Sequence, residues 1–177
     1  MPYLRLLFAV LVLVPAAFAQ GAEEAYRLLA TTRTSTMERE INEIAADGYR
    51  FAGTMGGEMR GGEIISILAR VPLVDGKGRY RYKLLATNRT STMERELNEM
   101  AAAGYEYAGE TARGEIIIIM ELDLGKAVRP RHEYKILATS RTGTMQNELN
   151  EAVRQGYEFL TVLRRGEVIS LLRKRKG

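Results

Sequence analysis

Leu85-Ala-Thr-Asn-Arg-Thr-Ser-Thr-Met-Glu-Arg-Glu-Leu-Asn-Glu99 decides the fold, because the chain carries it three times. The earlier copy is Leu29-Ala-Thr-Thr-Arg-Thr-Ser-Thr-Met-Glu-Arg-Glu-Ile-Asn-Glu43, and the later one is Leu137-Ala-Thr-Ser-Arg-Thr-Gly-Thr-Met-Gln-Asn-Glu-Leu-Asn-Glu151. Each copy runs on to a Gly-Tyr pair: Gly48-Tyr49, Gly104-Tyr105 and Gly156-Tyr157. Self-similarity at a period of about fifty residues makes the chain an array of three small units. A unit of that size buries too little surface to be robust alone, so packing between units is expected.

The middle copy reads most clearly. Tyr82-Lys-Leu-Leu-Ala-Thr87 alternates and opens on an aromatic, the pattern of a strand. Met93, Leu97, Met100, Ala101 and Gly104 fall at three- and four-residue spacings, which predicts an amphipathic helix from Thr92 to Ala103. Ser91 with Glu94, like Ser35 with Glu38, matches a capping box. Gly104 stands where a left-handed residue ends a helix. Tyr105-Glu-Tyr-Ala108 opens a second strand, and Glu115-Ile-Ile-Ile-Ile-Met-Glu-Leu122 is a third, apolar on both faces and so expected at the centre of its sheet.

The fold class is therefore α+β. It consists of three tandem β-α-β-β repeats, each a small antiparallel sheet of order 1-3-2 with one helix on one face. On the third strands, Ile65/Ile67, Ile117/Ile119 and Ile169/Leu171 are expected to face the helix. The opposite parity (Ile64/Ser66/Leu68, Ile116/Ile118/Met120, Val168/Ser170/Leu172) is also largely apolar. One helix layer leaves that second face uncovered, so it should pack against another repeat or another chain.

The domain boundaries are 20–70 for repeat 1, 71–81 for a linker with a turn at Asp75-Gly-Lys-Gly78, and 82–122 for repeat 2. A second linker spans 123–133, and repeat 3 spans 134–177 with a basic C-terminal tail at Arg173-Lys-Arg-Lys176. Residues 1–19 read as a Sec-type signal peptide: Arg5, the apolar run Leu6 to Val14, Pro15, then Ala17-Phe-Ala19 as the cleavage site. The mature chain is expected to start at Gln20, in the bacterial periplasm or outside the cell. No later stretch has the length and apolarity of a transmembrane helix.

The chain has no cysteine, which excludes disulfides, zinc-thiolate sites and thiol nucleophiles, and a single histidine, His132, read as a linker residue. The net charge of +4 favours an anionic partner only weakly, and the terminal basic run is read as a solvated tail. No nucleic-acid partner, cofactor or metal site is expected.

The unit Tyr-Lys-(Leu/Ile)-Leu-Ala-Thr, a helix with Glu-Leu-Asn-Glu, Gly-Tyr-Glu-(Tyr/Phe) and an apolar last strand resembles the DUF4177 family of small bacterial domains. That family commonly has Leu-Asn in its helix and Gly-Trp-Glu after it. Here Tyr105 and Tyr157 replace the Trp, and Arg50 stands where the first copy would have the Glu. The resemblance covers each repeat and implies a small α+β domain with no established activity and no catalytic residues to carry over.

The candidate site is the turn that enters each helix: Arg33, Thr34 and Thr36; Arg89, Thr90 and Thr92; Arg141, Thr142 and Thr144. Each puts a cation and hydroxyls beside free N–H groups at the positive end of a helix dipole, the chemistry of an anion site. The competing reading has the hydroxyls cap the helix while the arginine pairs with Glu40, Glu96 or Glu148. Asn42, Asn98 and Asn150 are weak helix formers present in every copy. They bond an adjacent loop or repeat, or else contact a ligand. Tyr26, Tyr82, Tyr134, Tyr49, Tyr105 and Tyr157 form either core edges or an aromatic binding surface. The leading function is a non-enzymatic binding module for an anionic small molecule, glycan or protein. The alternative is a structural or self-assembling envelope protein, a homo-oligomer among its forms. An enzyme comes third, because the common nucleophile and acid–base sets are missing.

Overall fold

The computed structural model describes residues 24–56, 62–87, 89–129, 131–139, 141–165 and 167–176. The expected leader, residues 1–19, and its expected cleavage site lie outside the described residues, as do positions 57–61. Repeat 1 is β1 (Tyr26–Thr31), α1 (Thr34–Ala46), β2 (Tyr49–Gly56) and β3 (Ile64–Arg70). Repeat 2 is β4 (Tyr80–Thr87), α2 (Thr90–Ala102), β5 (Glu106–Ala112) and β6 (Ile116–Asp123). Repeat 3 is β7 (Arg131–Thr139), α3 (Thr142–Arg154), β8 (Glu158–Arg165) and β9 (Glu167–Lys176).

The sheets have the orders β1-β3-β2, β4-β6-β5 and β7-β9-β8, with every neighbouring pair antiparallel. The helix crossover makes the two outer strands of each sheet parallel, and the apolar last strand fills the gap between them. Gly48, Gly104 and Gly156 end the helices at φ 90°, 89° and 87°, a region open to glycine without strain. In the first linker Asp75 (φ 50°) and Gly76 (φ 71°) make the expected tight turn, across which Val74 and Lys77 exchange two hydrogen bonds of 2.9 and 3.0 Å.

The second sheet faces of repeats 2 and 3 do pack between repeats, while that of repeat 1 is only half-buried, and the two faces are the reverse of the expectation. Met37, Ile41 and Ala45 of α1 cluster with Ile64 and Leu68 of their own sheet, and this cluster takes in Ile117 and Ile119 from repeat 2. Met93 and Leu97 of α2 cluster with Ile116, Ile118 and Met120, and take in Ile169 and Leu171 from repeat 3. Under α3, Ser170 donates to the Met145 sulfur at 3.6 Å, placing the same parity beneath the third helix. Both parities are apolar, so alternation carried no polarity by which to orient the strand.

Three further expectations are corrected. The helices start at Thr34, Thr90 and Thr142, with Arg33, Arg89 and Arg141 as N-caps, so Ser35 and Ser91 lie inside the first turn and no capping box forms. Glu38 and Glu94 turn to the next repeat instead. Strand β4 begins at Tyr80 and β7 at Arg131, earlier than the boundaries at 82 and 134, so His132 belongs to a strand and not to a linker. The basic tail is also strand: β9 runs through Lys176, Arg173 Nε donates to Glu158 at 2.9 Å, and Lys176 pairs with Glu133 at 3.2 Å.

Candidate anion-binding site

Each of the first two helices holds the repeat after it. Asn42 Nδ2 donates to the Tyr82 carbonyl at 3.0 Å, and its Oδ1 accepts from the Tyr82 N–H at 2.9 Å. Its second amide hydrogen goes to the Glu38 carbonyl at 2.8 Å. One turn earlier, the Glu38 carboxylate accepts from the Leu84 N–H at 3.0 Å and from Lys83 Nζ at 2.7 Å. These side chains stand in for a neighbouring strand along the free edge of β4.

Helix α2 repeats the device on β7. Asn98 makes both Tyr134 bonds at 2.9 Å, and Glu94 accepts from the Ile136 N–H at 2.7 Å. The tyrosine hydroxyls complete each junction. Tyr82 Oη accepts from the Phe51 N–H at 2.9 Å, and Tyr134 Oη accepts from the Tyr107 N–H at 2.7 Å. Both N–H groups lie at bulges, between Phe51 and Gly53 and between Tyr107 and Gly109, where the ladder register shifts. Asn42 and Asn98 therefore bond an adjacent repeat, as one of the two readings held. Tyr49, Tyr82, Tyr105 and Tyr134 are buried core, while Tyr26 is 65% exposed.

The helix entries match neither reading of them cleanly. None of the three N-caps makes a side-chain cap hydrogen bond, and Arg33, Arg89 and Arg141 are exposed with no ion pair among the described residues. Thr31, Thr87 and Thr139 each accept from the N–H of the arginine two residues on, at 3.3 Å. Glu40 and Glu96 lie 4.0 and 3.7 Å from Arg39 and Arg95, not beside the entry arginines. At the first entry Thr34 donates to Glu115 of repeat 2 at 3.4 Å, so a carboxylate of the chain itself already sits there. Thr36, Thr90, Thr92, Thr142 and Thr144 make no side-chain hydrogen bond among the described residues. Among those residues, too, no hydrogen bond or ion pair links one entry to another.

A stronger concentration of positive charge lies at the second junction. Lys126, Arg129, Arg131, Arg173, Arg175 and Lys176 line a groove of about 1140 Å³, with Glu106 and Glu158 as the only carboxylates among its described lining residues. Lys126 pairs with Glu106 at 2.7 Å. Arg129, Arg131 and Arg175 are exposed and have no ion pair among the described residues. His132 also lines the groove. Its side chain is 7% exposed, and Nδ1 is buried without a hydrogen-bond partner, 4.0 Å from Glu106. Burial, then Arg173, pushes the His132 imidazole below the usual histidine range, so the ring is neutral near pH 7.

The first junction shows what this groove lacks. Tyr80 pairs across the sheet with Asp123, and His132 pairs with Arg175, so Asp123 and Arg175 hold matching positions, as do Arg79 and Arg131. Arg79 grips Asp123 with two bonds of 2.8 and 2.7 Å, which hold the Asp123 carboxyl below the usual carboxylate range. At the second junction the carboxylate is replaced by a second guanidinium. Sequence reading missed this because it placed Arg131 and His132 in a linker and Arg175 in a tail. Only the register that brings them together reveals the constellation.

A second cleft, of about 870 Å³, lies where the three repeats meet and is lined by Thr54, Glu63, Glu110, Thr111 and Thr161 among others. Thr161 donates to the Glu110 carboxylate at 2.9 Å, and Thr54 donates to the Glu110 carbonyl at the same distance. Burial pushes the Glu110 carboxyl above its ordinary value, partly offset by the Thr161 hydroxyl. Among the described residues no group of three or more His, Cys, Asp or Glu side chains is placed to hold a metal ion, and no helix is long and apolar enough to cross a membrane. Compared with models of known families, with curated proteins and with solved structures, the chain gives no match in any of the three.

Proposed function

We infer that the chain is an exported, non-enzymatic binding module of the bacterial cell envelope, whose ligand is an anion held in the basic groove of the second junction. The observation that carries this reading is the substitution of Arg175 for Asp123 at matching junctions. Where the first junction has an Arg79–carboxylate fork, the second has Arg131 and Arg175, neither paired with a carboxylate among the described residues. A carboxylate, sulfate or phosphate group is the natural partner of two such guanidinium planes. Arg129 and the buried, unpartnered nitrogen of His132 add a third cation and a polar contact. An anionic glycan or acidic peptide of the envelope supplies that chemistry. Binding, and not turnover, fits a groove of cations with no nucleophile beside a base.

The test is a thermal-melting screen of the chain from Gln20 with sulfate, phosphate, uronic-acid oligosaccharides and neutral sugars at matched ionic strength. A ligand that binds the folded state raises the melting temperature by mass action. Arg175→Asp gives Arg131 an internal carboxylate, as Arg79 has. This variant is expected to melt a few degrees higher than the native chain and to lose the anion-dependent shift. A native chain that no anion stabilises, or an Arg175→Asp variant that keeps the shift, overturns the reading.

The helix entries are a second anion site on this reading, favoured by the uncapped first turns and by Arg33, Arg89 and Arg141, exposed and without an ion pair among the described residues. Changing those three arginines to alanine in the same screen separates the two sites. Loss of the shift there, with Arg175→Asp unaffected, moves the ligand to the entries.

A further inference from the structure

Among the described residues no strand or helix of another repeat closes the outer edge of β1 or packs on α3, and these two open ends match each other. The Arg70 N–H donates to the Ala25 carbonyl at 2.8 Å. The backbone groups of Ala25, Arg27, Leu29 and Thr31 therefore point at β3, and those of Tyr26 and Leu28 point outward from the sheet edge. Tyr82 and Leu84, and Tyr134 and Ile136, are the matching residues at the inner junctions, where the preceding helix receives them. Tyr26 and Leu28 are each 65% exposed, whereas Tyr82 and Tyr134 are each 1% exposed. Ile65 and Ile67 lie on the same open face and are only half-buried, while Ile117 and Ile119 at the matching positions are closed off from water.

The other end carries the receiving half. Gln146 and Asn150 of α3 match Glu38 and Asn42, and a glutamine carbonyl accepts an N–H as a carboxylate does. Neither side chain makes a hydrogen bond among the described residues, and both residues are exposed. Val153 is 60% exposed where Ala45 and Ala101 are buried, each in a cluster that includes residues of the next repeat. The β8 bulge between Phe159 and Thr161 matches those whose N–H groups take up Tyr82 and Tyr134, and Phe159 is 51% exposed.

We propose that a second copy of this chain docks its β1 edge and open sheet face on α3 and β8 of the first, repeating the inner junction between molecules. Asn150 then bonds Tyr26 of the next copy, Gln146 accepts from Leu28, and the Tyr26 hydroxyl meets the Phe159 N–H. The contact is heterologous, so it closes a ring or extends as a filament. It is weaker than the first inner junction, because the Arg50–Glu121 pair has no counterpart where Glu158 would face Ala69. This inference is independent of the basic groove.

The test is the mass of the chain from Gln20 against concentration, by sedimentation or light scattering, with one variant blocked at each end. Leu28→Pro removes an outward N–H without breaking the β1–β3 ladder. Tyr26→Lys blocks the same end with the backbone untouched, should the proline variant misfold. Asn150→Arg blocks the receiving helix at an exposed position. The native chain is expected to grow in mass with concentration and each variant alone to stay monomeric. An equimolar mixture of a β1-blocked and an α3-blocked variant should give a dimer and nothing larger. A native chain that stays monomeric to its solubility limit, a single variant that associates as the native chain does, or a mixture that fails to pair overturns the proposal.

Discussion

Asn42, Asn98 and Asn150 are one residue in three settings. Asn42 and Asn98 each satisfy a backbone N–H and C=O on the edge of the next repeat's first strand, whereas Asn150 meets no such strand among the described residues. Asn42→Ala or Asn98→Ala leaves two edge groups of the junction unpaired and is expected to cost about 2–4 kcal/mol. Asn150→Ala in the dilute monomer stays within about 0.5 kcal/mol. Denaturant titration of the three variants reads this directly, and equal costs would contradict it. Glu110 gives a prediction with a pH sign. Its carboxyl is pushed up by burial, so its contribution to stability is greatest below the unfolded pKa and is lost as pH rises through the folded one. Glu110→Gln keeps an oxygen for the Thr161 hydroxyl, so it is expected to raise the melting temperature near neutral pH and to change nothing in acid. A melting series against pH that shows the opposite trend would mean that Glu110 is held as a favourable anion.

Among the elements, the helices show how burial depends on the presence of a next repeat. Met37, Ile41 and Ala45 of α1, and Met93, Leu97 and Ala101 of α2, are buried, but of α3 only Ala152 is. Leu97→Ala is therefore expected to cost about 2–5 kcal/mol, as for a closed core site. Leu149→Ala, at the matching but half-buried position, should cost clearly less, and chemical denaturation of both variants checks the order. The strand–helix–strand–strand order was legible in the sequence because the period changes from two to three or four and back within each copy. The helix-ending glycines were legible for the same reason that they are needed: φ turns positive at each of them, where glycine carries no strain. The sheet orientation was not legible, because Ile116 to Met120 offer apolar side chains to both faces. The helix starts were missed because Ser35 and Ser91 look like caps, while the residues that would complete the boxes, Glu38 and Glu94, are drawn to a strand some forty residues later. A contact of that range leaves no local signature.

As a whole the molecule is a short array in which each of the first two units uses polar side chains of its helix to close the edge of the next. The repeat itself announced the array, and the apolar second faces announced that the units pack on one another. What the sequence withheld was the junction chemistry, which exists only after three units are superposed. The Arg79–Asp123 fork has its counterpart in Arg131 and Arg175, and Tyr80 in His132. The candidate site lies in that difference between two near-equivalent junctions, so no single copy contains it. Hydrogen exchange at six backbone amides tests the central claim, that helix side chains close the strand edges between repeats. In the dilute chain Tyr82, Leu84, Tyr134 and Ile136 are predicted to exchange slowly, and Tyr26 and Leu28, at the same positions of an open edge, to exchange near the rate of an unprotected strand. Uniform exchange across all six would contradict the account.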